Sequence, residues 1–343
     1  MDAFHGEARF TGLTALDVAG TAIQARHILI AAGAVPVLFG IPDEHYLATS
    51  EEFLALEHLP HRIVLVGGGY IAAEFSRIAA RAGAQVTVLQ RGERMLQRFD
   101  PDLVGWLMEA FDGMGVHVRT RTAVTAIQRA GDIFRVEAYS DAGQETFEAD
   151  LVVHAAGRRP ALDKLDLAAA KVAVEERRLK LNDFLQSVTN PAVYAAGDAA
   201  LVGPPLTPVS SHDAKVVAAN LLEGNHAKPN YAGVPSVAFT SPPIAAVGMS
   251  EVEARESGLR VSIKSERTSG WFTARREAER VYGYKTVVKE GSGRILGAHL
   301  VGPHVDEVIN IFALSIRHGL TADDLKSTIF AYPTGASDIG SML

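Results

Sequence analysis

The residues best placed to do chemistry stand in one run, Gly67-Gly68-Gly69-Tyr70-Ile71-Ala72. They fit the pattern G-x-G-x-x-G/A. The first glycine suits a tight turn, the second admits backbone close to a pyrophosphate, and the small last residue lets a helix pack on a strand. Free N–H groups and the helix dipole then favour an anion at the helix start. A corner that merely needs glycine gives the same letters, so the flanking sequence has to decide.

The flanks form a βαβ unit. Arg62-Ile63-Val64-Leu65-Val66 is an apolar, β-branched run that reads as a strand. Tyr70 to Arg81 has helical periodicity, and Gly83 follows as a helix-ending glycine would. Gln85-Val86-Thr87-Val88-Leu89 is the next strand. Dinucleotide binders that prefer NAD place Asp or Glu at the end of this second strand, to hold the ribose hydroxyls. Here the chain has Gln90 and Arg91, with Arg94 and Arg98 close behind. Guanidinium groups pair with phosphate in a bidentate way, so this pattern favours NADP through its 2′-phosphate, with NAD the alternative. A solvated basic loop is the bland reading of the same residues.

Further elements follow from the same signals. Asp100 reads as an N-cap with Pro101 at N1, starting a helix to about Phe111. A strand at Val116-His117-Val118, a hairpin around 122–129 and 134–139, and a strand Leu151-Val152-Val153-His154 come next. Val193 to Asp198 is a strand ending in a glycine turn, and a helix runs from about Ser211 to Leu222. Strands near 281–289 and 295–301 and a helix from about Asp306 to Arg317 complete an α+β region after a linker at 229–235.

Composition limits the function classes. The chain has 343 residues, enough for two or three domains, with 48% hydrophobic and 21% charged residues. A net charge of −7 gives no electrostatic reason to bind nucleic acid or an anionic membrane. With no cysteine, the chain has no disulfide, no thiolate nucleophile and no zinc–thiolate site. The 12 histidines form no metal-binding spacing, so His212, His299 and His304 read as packed or surface residues, and no metal is expected. The first residues show no targeting pattern and no apolar run is long enough to span a bilayer, so the expected location is the cytoplasm.

Four blocks, in order, make the chain resemble the class I pyridine nucleotide–disulfide oxidoreductases, of the glutathione reductase, dihydrolipoamide dehydrogenase and mercuric reductase type. They are Ala25-Arg26-His27-Ile28-Leu29-Ile30-Ala31-Ala32-Gly33-Ala34; Gly67 to Glu74; His154-Ala155-Ala156-Gly157-Arg158-Arg159-Pro160; and Tyr194-Ala195-Ala196-Gly197-Asp198 followed by Leu206-Thr207-Pro208. The runs 239–248 and 297–302 resemble the family's dimerisation domain. The resemblance implies FAD and NAD(P)H as cofactors. It implies that Tyr70 covers the nicotinamide pocket and that Glu74 pairs with a flavin-side lysine. It gives Gly197 and Asp198 the ribityl chain of FAD, and Thr207 a place beside the flavin ring.

The chain also departs from the family pattern. The glycine fingerprint for the ADP half of FAD and the Cys-x4-Cys pair are absent from it. Near its end, Tyr332-Pro333-Thr334-Gly335-Ala336-Ser337 stands where disulfide reductases have His-Pro-Thr-x-x-Glu. An ordinary tyrosine, with a pKa of about 10, shuttles protons poorly near neutrality, so Tyr332 reads more as a wall residue than as a catalyst. Pro333 is a candidate for a cis bond.

The expected fold is therefore α/β: a Rossmann-like NAD(P) domain at 59–157 inserted in a truncated FAD domain at 1–58 and 158–229, with a dimerisation domain at 230–343. The expected function is transfer of hydride from NADPH to flavin and on to a non-disulfide, small-molecule acceptor such as a quinone, a metal ion or oxygen, in a homodimer. The alternative is a truncated, inactive NAD(P)-binding dimerisation module. The candidate catalytic residues are Tyr332 and Glu74. The candidate cofactor residues are Gly67, Gly69, Tyr70, Ile71, Ala72, Glu74, Arg91, Arg94, Gly157, Gly197, Asp198 and Thr207.

Overall fold

The computed structural model describes residues 2–343. The chain divides into two compact units. One comprises residues 2–37 and 158–231, the other 38–157 and 232–343.

In the larger unit the run Arg62–Val66 is an inner strand of a four-stranded parallel sheet. Its neighbours are Gln85–Leu89 on one side and Leu151–His154 on the other, with Val116–Arg119 outermost. Parallel strands are covered on both faces, which explains the unbroken apolar run: Ile63, Val64, Leu65 and Val66 are all buried. Helix Tyr70–Arg81 starts directly after the glycine run, and Gly83, at φ +95°, follows its C-cap Ala82 in the left-handed region. It presses Ala72, Ala73, Phe75 and Ala79 onto the sheet. Helix Pro101–Gly113 begins as read: the Asp100 side chain accepts from the N–H groups of Asp102 and Leu103. Leu103, Leu107 and Phe111 are completely buried beneath it, at about 1.5–3 kcal/mol of hydrophobic stabilisation per side chain.

The expected hairpin is a three-stranded antiparallel meander, Ala123–Ala130, Ile133–Ser140 and Gly143–Ala149. The third strand escaped the sequence reading because it alternates half-buried and exposed residues with few large apolar side chains. The rest of this unit is a five-stranded antiparallel sheet in the order Ser236–Ala238, Ile244–Gly248, Ile295–Val301, Gly283–Lys289, Val261–Arg267. Helix Val305–His318 covers it, burying Val308, Ile309 and Phe312. Residues 38–58 pack in this unit: Ala48 bridges Val153, and Phe53 stacks on Phe75 with ring centroids 4.2 Å apart.

The nucleotide sheet and the antiparallel sheet share one buried ionic knot. The Lys285 ammonium lies 2.9 Å from Asp100, 2.6 Å from Asp102 and 3.0 Å from Glu251. Beside it His299 is buried; its Nε2 meets the Met249 carbonyl while its Nδ1 has no hydrogen-bond partner among the described residues. Burial, helped by the nearby Lys285 charge, holds His299 below the ordinary histidine value. A group with a depressed folded pKa stabilises the fold above its unfolded pKa and loses that contribution as pH falls towards the folded value. Chemical denaturation midpoints should therefore drop as pH falls below about 6.5, the ordinary value for histidine. In the His299→Gln variant that part of the pH dependence should be gone.

In the smaller unit Ile28–Ile30 pairs in parallel with Val193–Ala195, and Ala34–Pro36 pairs with Arg158–Pro160. A small antiparallel sheet, Ala8–Phe10, Ala15–Val18 and Thr21–Gln24, precedes them. The helix read from about Ser211 begins earlier, spanning Thr207–Glu223 and ending at Gly224. Leu206 is extended and Pro208 falls in the first turn, where its fixed φ suits a helix. Leu-Thr-Pro is thus a helix start rather than a loop.

Candidate functional site

Gly67 sits at φ +111°, between strand and helix. A Cβ added there would lie 2.5 Å from the backbone of Ala155 and Ala156. Only glycine fits, because the returning strand Leu151–His154 brings its own end against the turn. Gly68 is nearly as confined by the Gln90 and Met95 side chains, and its carbonyl accepts the N–H of Leu96 at 2.7 Å. Gly69 is the N-cap and offers no side chain to the helix start. Ala72 is fully buried against the sheet, the role its small size predicts. The first N–H groups of the helix, at Tyr70, Ile71 and Ala72, have no intrahelical acceptor by the geometry of any α-helix. They form a bare, electropositive cradle of the kind that binds a pyrophosphate.

Tyr70 opens the helix with its ring edge against Phe99, centroids 5.5 Å apart. Burial raises its phenol above the ordinary value, partly offset by a hydrogen bond with Ser236 and by the Arg98 charge. Near neutral pH it is an uncharged, half-buried cover rather than an acid.

Glu74 has a main-chain partner that its spacing did not foretell. Its carboxylate accepts the Phe239 N–H at 3.0 Å, while Arg77 donates to the Phe239 carbonyl at 3.1 Å. One turn of the helix thus grips the main chain on both sides of Phe239, at the start of the antiparallel region, a positioning contact. Arg94 also differs. Its guanidinium donates to the carbonyls of Leu96, Phe99 and Gln97, and its own carbonyl accepts from Gln90. It braces the loop from within. Arg91 is exposed and makes no hydrogen bond or ion pair among the described residues, and Arg98 is exposed beside Tyr70. The guanidinium groups facing outward are therefore those of Arg91 and Arg98.

Gly157, at φ +110°, is exposed in the middle of the His154–Pro160 block, with open space around its Cα. In the other unit Gly197 and Asp198 form a short 3₁₀ turn after strand Val193–Ala195. The Asp198 carboxylate is half-buried and has no partner among the described residues. Thr207 is exposed as the first residue of its helix, which has no side-chain cap. The Asp198 carboxylate and the exposed Thr207 hydroxyl are groups that could hold a cofactor's polar atoms. Asp213, which the sequence reading passed over, is the buried carboxylate beneath this turn.

Tyr332 is 75% exposed and faces Phe272, with ring centroids 6.0 Å apart. It precedes a cis peptide to Pro333; a second cis bond joins Ser241 and Pro242. The Arg275-Arg276-Glu277 run includes a small cluster: Glu277 lies between Arg276 and His304, and Arg276 reaches the Pro333 carbonyl.

Residues 1–214 match the family model described as pyridine nucleotide-disulphide oxidoreductase, and residues 234–343 match the dimerisation domain of the same family. The chain belongs to the class I pyridine nucleotide–disulfide oxidoreductase family. It is 31% identical to a mercuric reductase of Lysinibacillus sphaericus over 342 residues, 98% of this chain and 62% of that one. The chain thus spans less than two thirds of that relative. It is 48% identical over 180 residues, 52% of its length, to the whole of an uncharacterized 19.7 kDa protein in the mercuric resistance operon of Staphylococcus aureus. Among solved structures it superposes on the HOCl-induced flavoprotein disulfide reductase RclA from Escherichia coli with TM-score 0.90 at 28% identity, covering 99% of this chain and 78% of that one. The family's α/β architecture is the one expected from sequence. No helix among the described residues is long and apolar enough to cross a membrane.

Proposed function

We propose that this family member binds NADPH at the Gly67 turn and FAD at the Gly197–Asp198 turn. It takes part in passing reducing equivalents from NADPH to a non-disulfide acceptor: a quinone, a metal ion or oxygen. When bound, the two cofactors supply the redox chemistry. The chain's own residues bind and orient them. The single observation that carries the reading is the Gly67 turn, which a Cβ would fill with backbone contact at 2.5 Å and which opens a helix with no capping side chain. Residues 59–157 are assigned the nicotinamide nucleotide, 1–58 with 158–229 the flavin, and 230–343 the contact with a second copy.

Arg91 and Arg98 favour the 2′-phosphate of NADP, with Arg94 holding their loop. Tyr70 covers the nicotinamide end and stays neutral. Tyr332, exposed beside Phe272, is a wall residue near the contact between copies. A thiol–disulfide relay on this chain's residues has no thiolate to run on. The likeness to a mercuric reductase supports keeping a metal ion among the acceptors.

Arg91→Ala should weaken binding of 2′,5′-ADP about 10- to 100-fold, the value of one charge-assisted contact, and leave 5′-AMP binding unchanged. Calorimetric titration of both nucleotides checks this. The reading as a whole is tested by adding NADPH to the FAD-saturated chain with a quinone, a mercuric salt or oxygen and following NADPH consumption. Consumption that requires both FAD and an acceptor supports it. Tight 2′,5′-ADP binding without turnover in any of the three leaves the nucleotide-binding module instead.

A further inference from the structure

Beneath the Gly197–Asp198 turn lies a carboxylate that none of the chemistry above uses. Asp213 is the seventh residue of helix Thr207–Glu223 and is 1% exposed. Both of its oxygens are occupied. Oδ2 accepts the Gly197 N–H at 3.1 Å, and Oδ1 accepts the Tyr231 hydroxyl at 2.8 Å. Tyr231 is itself held in place. Its ring packs on Gly203, where a Cβ would come within 2.6 Å of it, and stands edge-on to His212, whose Nε2 accepts the N–H of the adjacent Asn230. Burial and the neighbouring Asp213 charge push the Tyr231 phenol well above its ordinary value, so it remains a donor at any physiological pH.

A buried carboxylate needs such partners, and the half-buried Gly197 N–H gains an acceptor turned towards the interior. The arrangement satisfies both at once, and its output is the orientation of one peptide. Gly197 is followed directly by Asp198, and the 3₁₀ turn that starts at Gly197 aims the partnerless Asp198 side chain.

We infer that Asp213, anchored by Tyr231, is a positioning residue that presets the Gly197–Asp198 turn for the flavin's ribityl chain. This rests on the flavin reading above. Asp213 acts through hydrogen-bond geometry and not through its charge. That distinction separates two variants. In Asp213→Ala the Gly197 N–H loses its acceptor inside the fold. In Asp213→Asn the amide oxygen can still accept from Gly197, and the amide nitrogen can donate to a Tyr231 hydroxyl that has turned around.

The test is FAD titration by flavin fluorescence on the full chain, with 2′,5′-ADP titration run in parallel as a check that the fold survives. Asp213→Ala should weaken FAD binding about tenfold or more, as an unmet donor turned towards the interior implies. Asp213→Asn should stay within about threefold of the wild type, since both contacts can be rebuilt. Tyr231→Phe, the mildest change and the one to use should Asp213→Ala fail to fold, should weaken FAD about threefold, as loss of one ordinary hydrogen bond does. The 2′,5′-ADP affinity should not move in any of them. A wild-type chain that takes up no FAD defeats the flavin reading and this inference with it. If wild type binds FAD and Asp198→Ala weakens it, but Asp213→Ala and Tyr231→Phe do not, the inference alone is overturned. Asp213→Asn as weak as Asp213→Ala also overturns it, since charge would then be what matters.

Discussion

Replacing Lys285 with methionine should lower the stability of the larger unit by about 3–5 kcal/mol, the usual loss when one partner of a buried ion pair is removed. Methionine nearly conserves volume, so the loss reports charge and not a cavity. Asp100 is the reason for the size of the effect. Its carboxylate is 1% exposed, and Lys285 is the cation in contact with it. The two N-cap hydrogen bonds from Asp102 and Leu103 remain, yet they leave a full negative charge uncompensated inside the protein. The partly exposed Asp102 and Glu251 can turn to water and add little. Both tryptophans of the chain, Trp106 and Trp271, lie in this unit. Their fluorescence in a urea titration therefore follows the right transition. Adding Asp100→Asn to Lys285→Met should recover part of the loss, because the stranded charge is then gone. A single variant as stable as wild type would mean that Asp100 finds water once Lys285 is removed.

Gly67→Ala is the second large expectation. The substitution places a methyl group 2.5 Å from the Ala155 and Ala156 backbone at a φ of +111°. The backbone conformation alone costs about 1–3 kcal/mol, and the overlap with main chain has no flexible side chain to relieve it. The turn must move, and the cradle of N–H groups moves with it. Affinity for 2′,5′-ADP should fall about a hundredfold or more. Gly83→Ala separates strain from overlap. Its φ is similar, +95°, but nothing lies within 4 Å of the added carbon. It should reduce stability by the conformational cost alone and leave nucleotide binding within a few-fold. Equal effects of the two substitutions on nucleotide binding would show that the Gly67 overlap is not what shapes the cradle.

These two cases show which features sequence can carry. The Gly67 turn is written in a contiguous run: strand, glycines, helix and strand all lie within thirty residues, and local rules place them. The same holds for the Asp100 cap and for Gly83, both of which stand where the sequence put them. The Lys285 knot joins residues 183 positions apart, and nothing around Lys285 distinguishes it from a surface lysine in a strand. Asp213 is equally illegible. It sits in a helix among alternating apolar and polar residues, and only the approach of Gly197 and Tyr231 gives it a purpose.

The guanidinium groups mark the intermediate case. The sequence offered Arg91, Arg94 and Arg98 as equivalent neighbours of the second strand's end. Tertiary structure divides them, because Arg94 turns inward to three carbonyls of its own loop. Glu74 follows the same logic. Its spacing from the glycine run matches the family motif, but its partner here is the main chain of Phe239, a residue that sequence spacing could not bring near.

The most direct test of the account is an anaerobic visible spectrum of the chain saturated with FAD, recorded before and after one equivalent of NADPH and, separately, NADH. The account predicts a protein-bound flavin spectrum that bleaches with NADPH and far less readily with NADH. A chain that takes up no flavin, or a bound flavin that NADPH leaves unbleached, would contradict it.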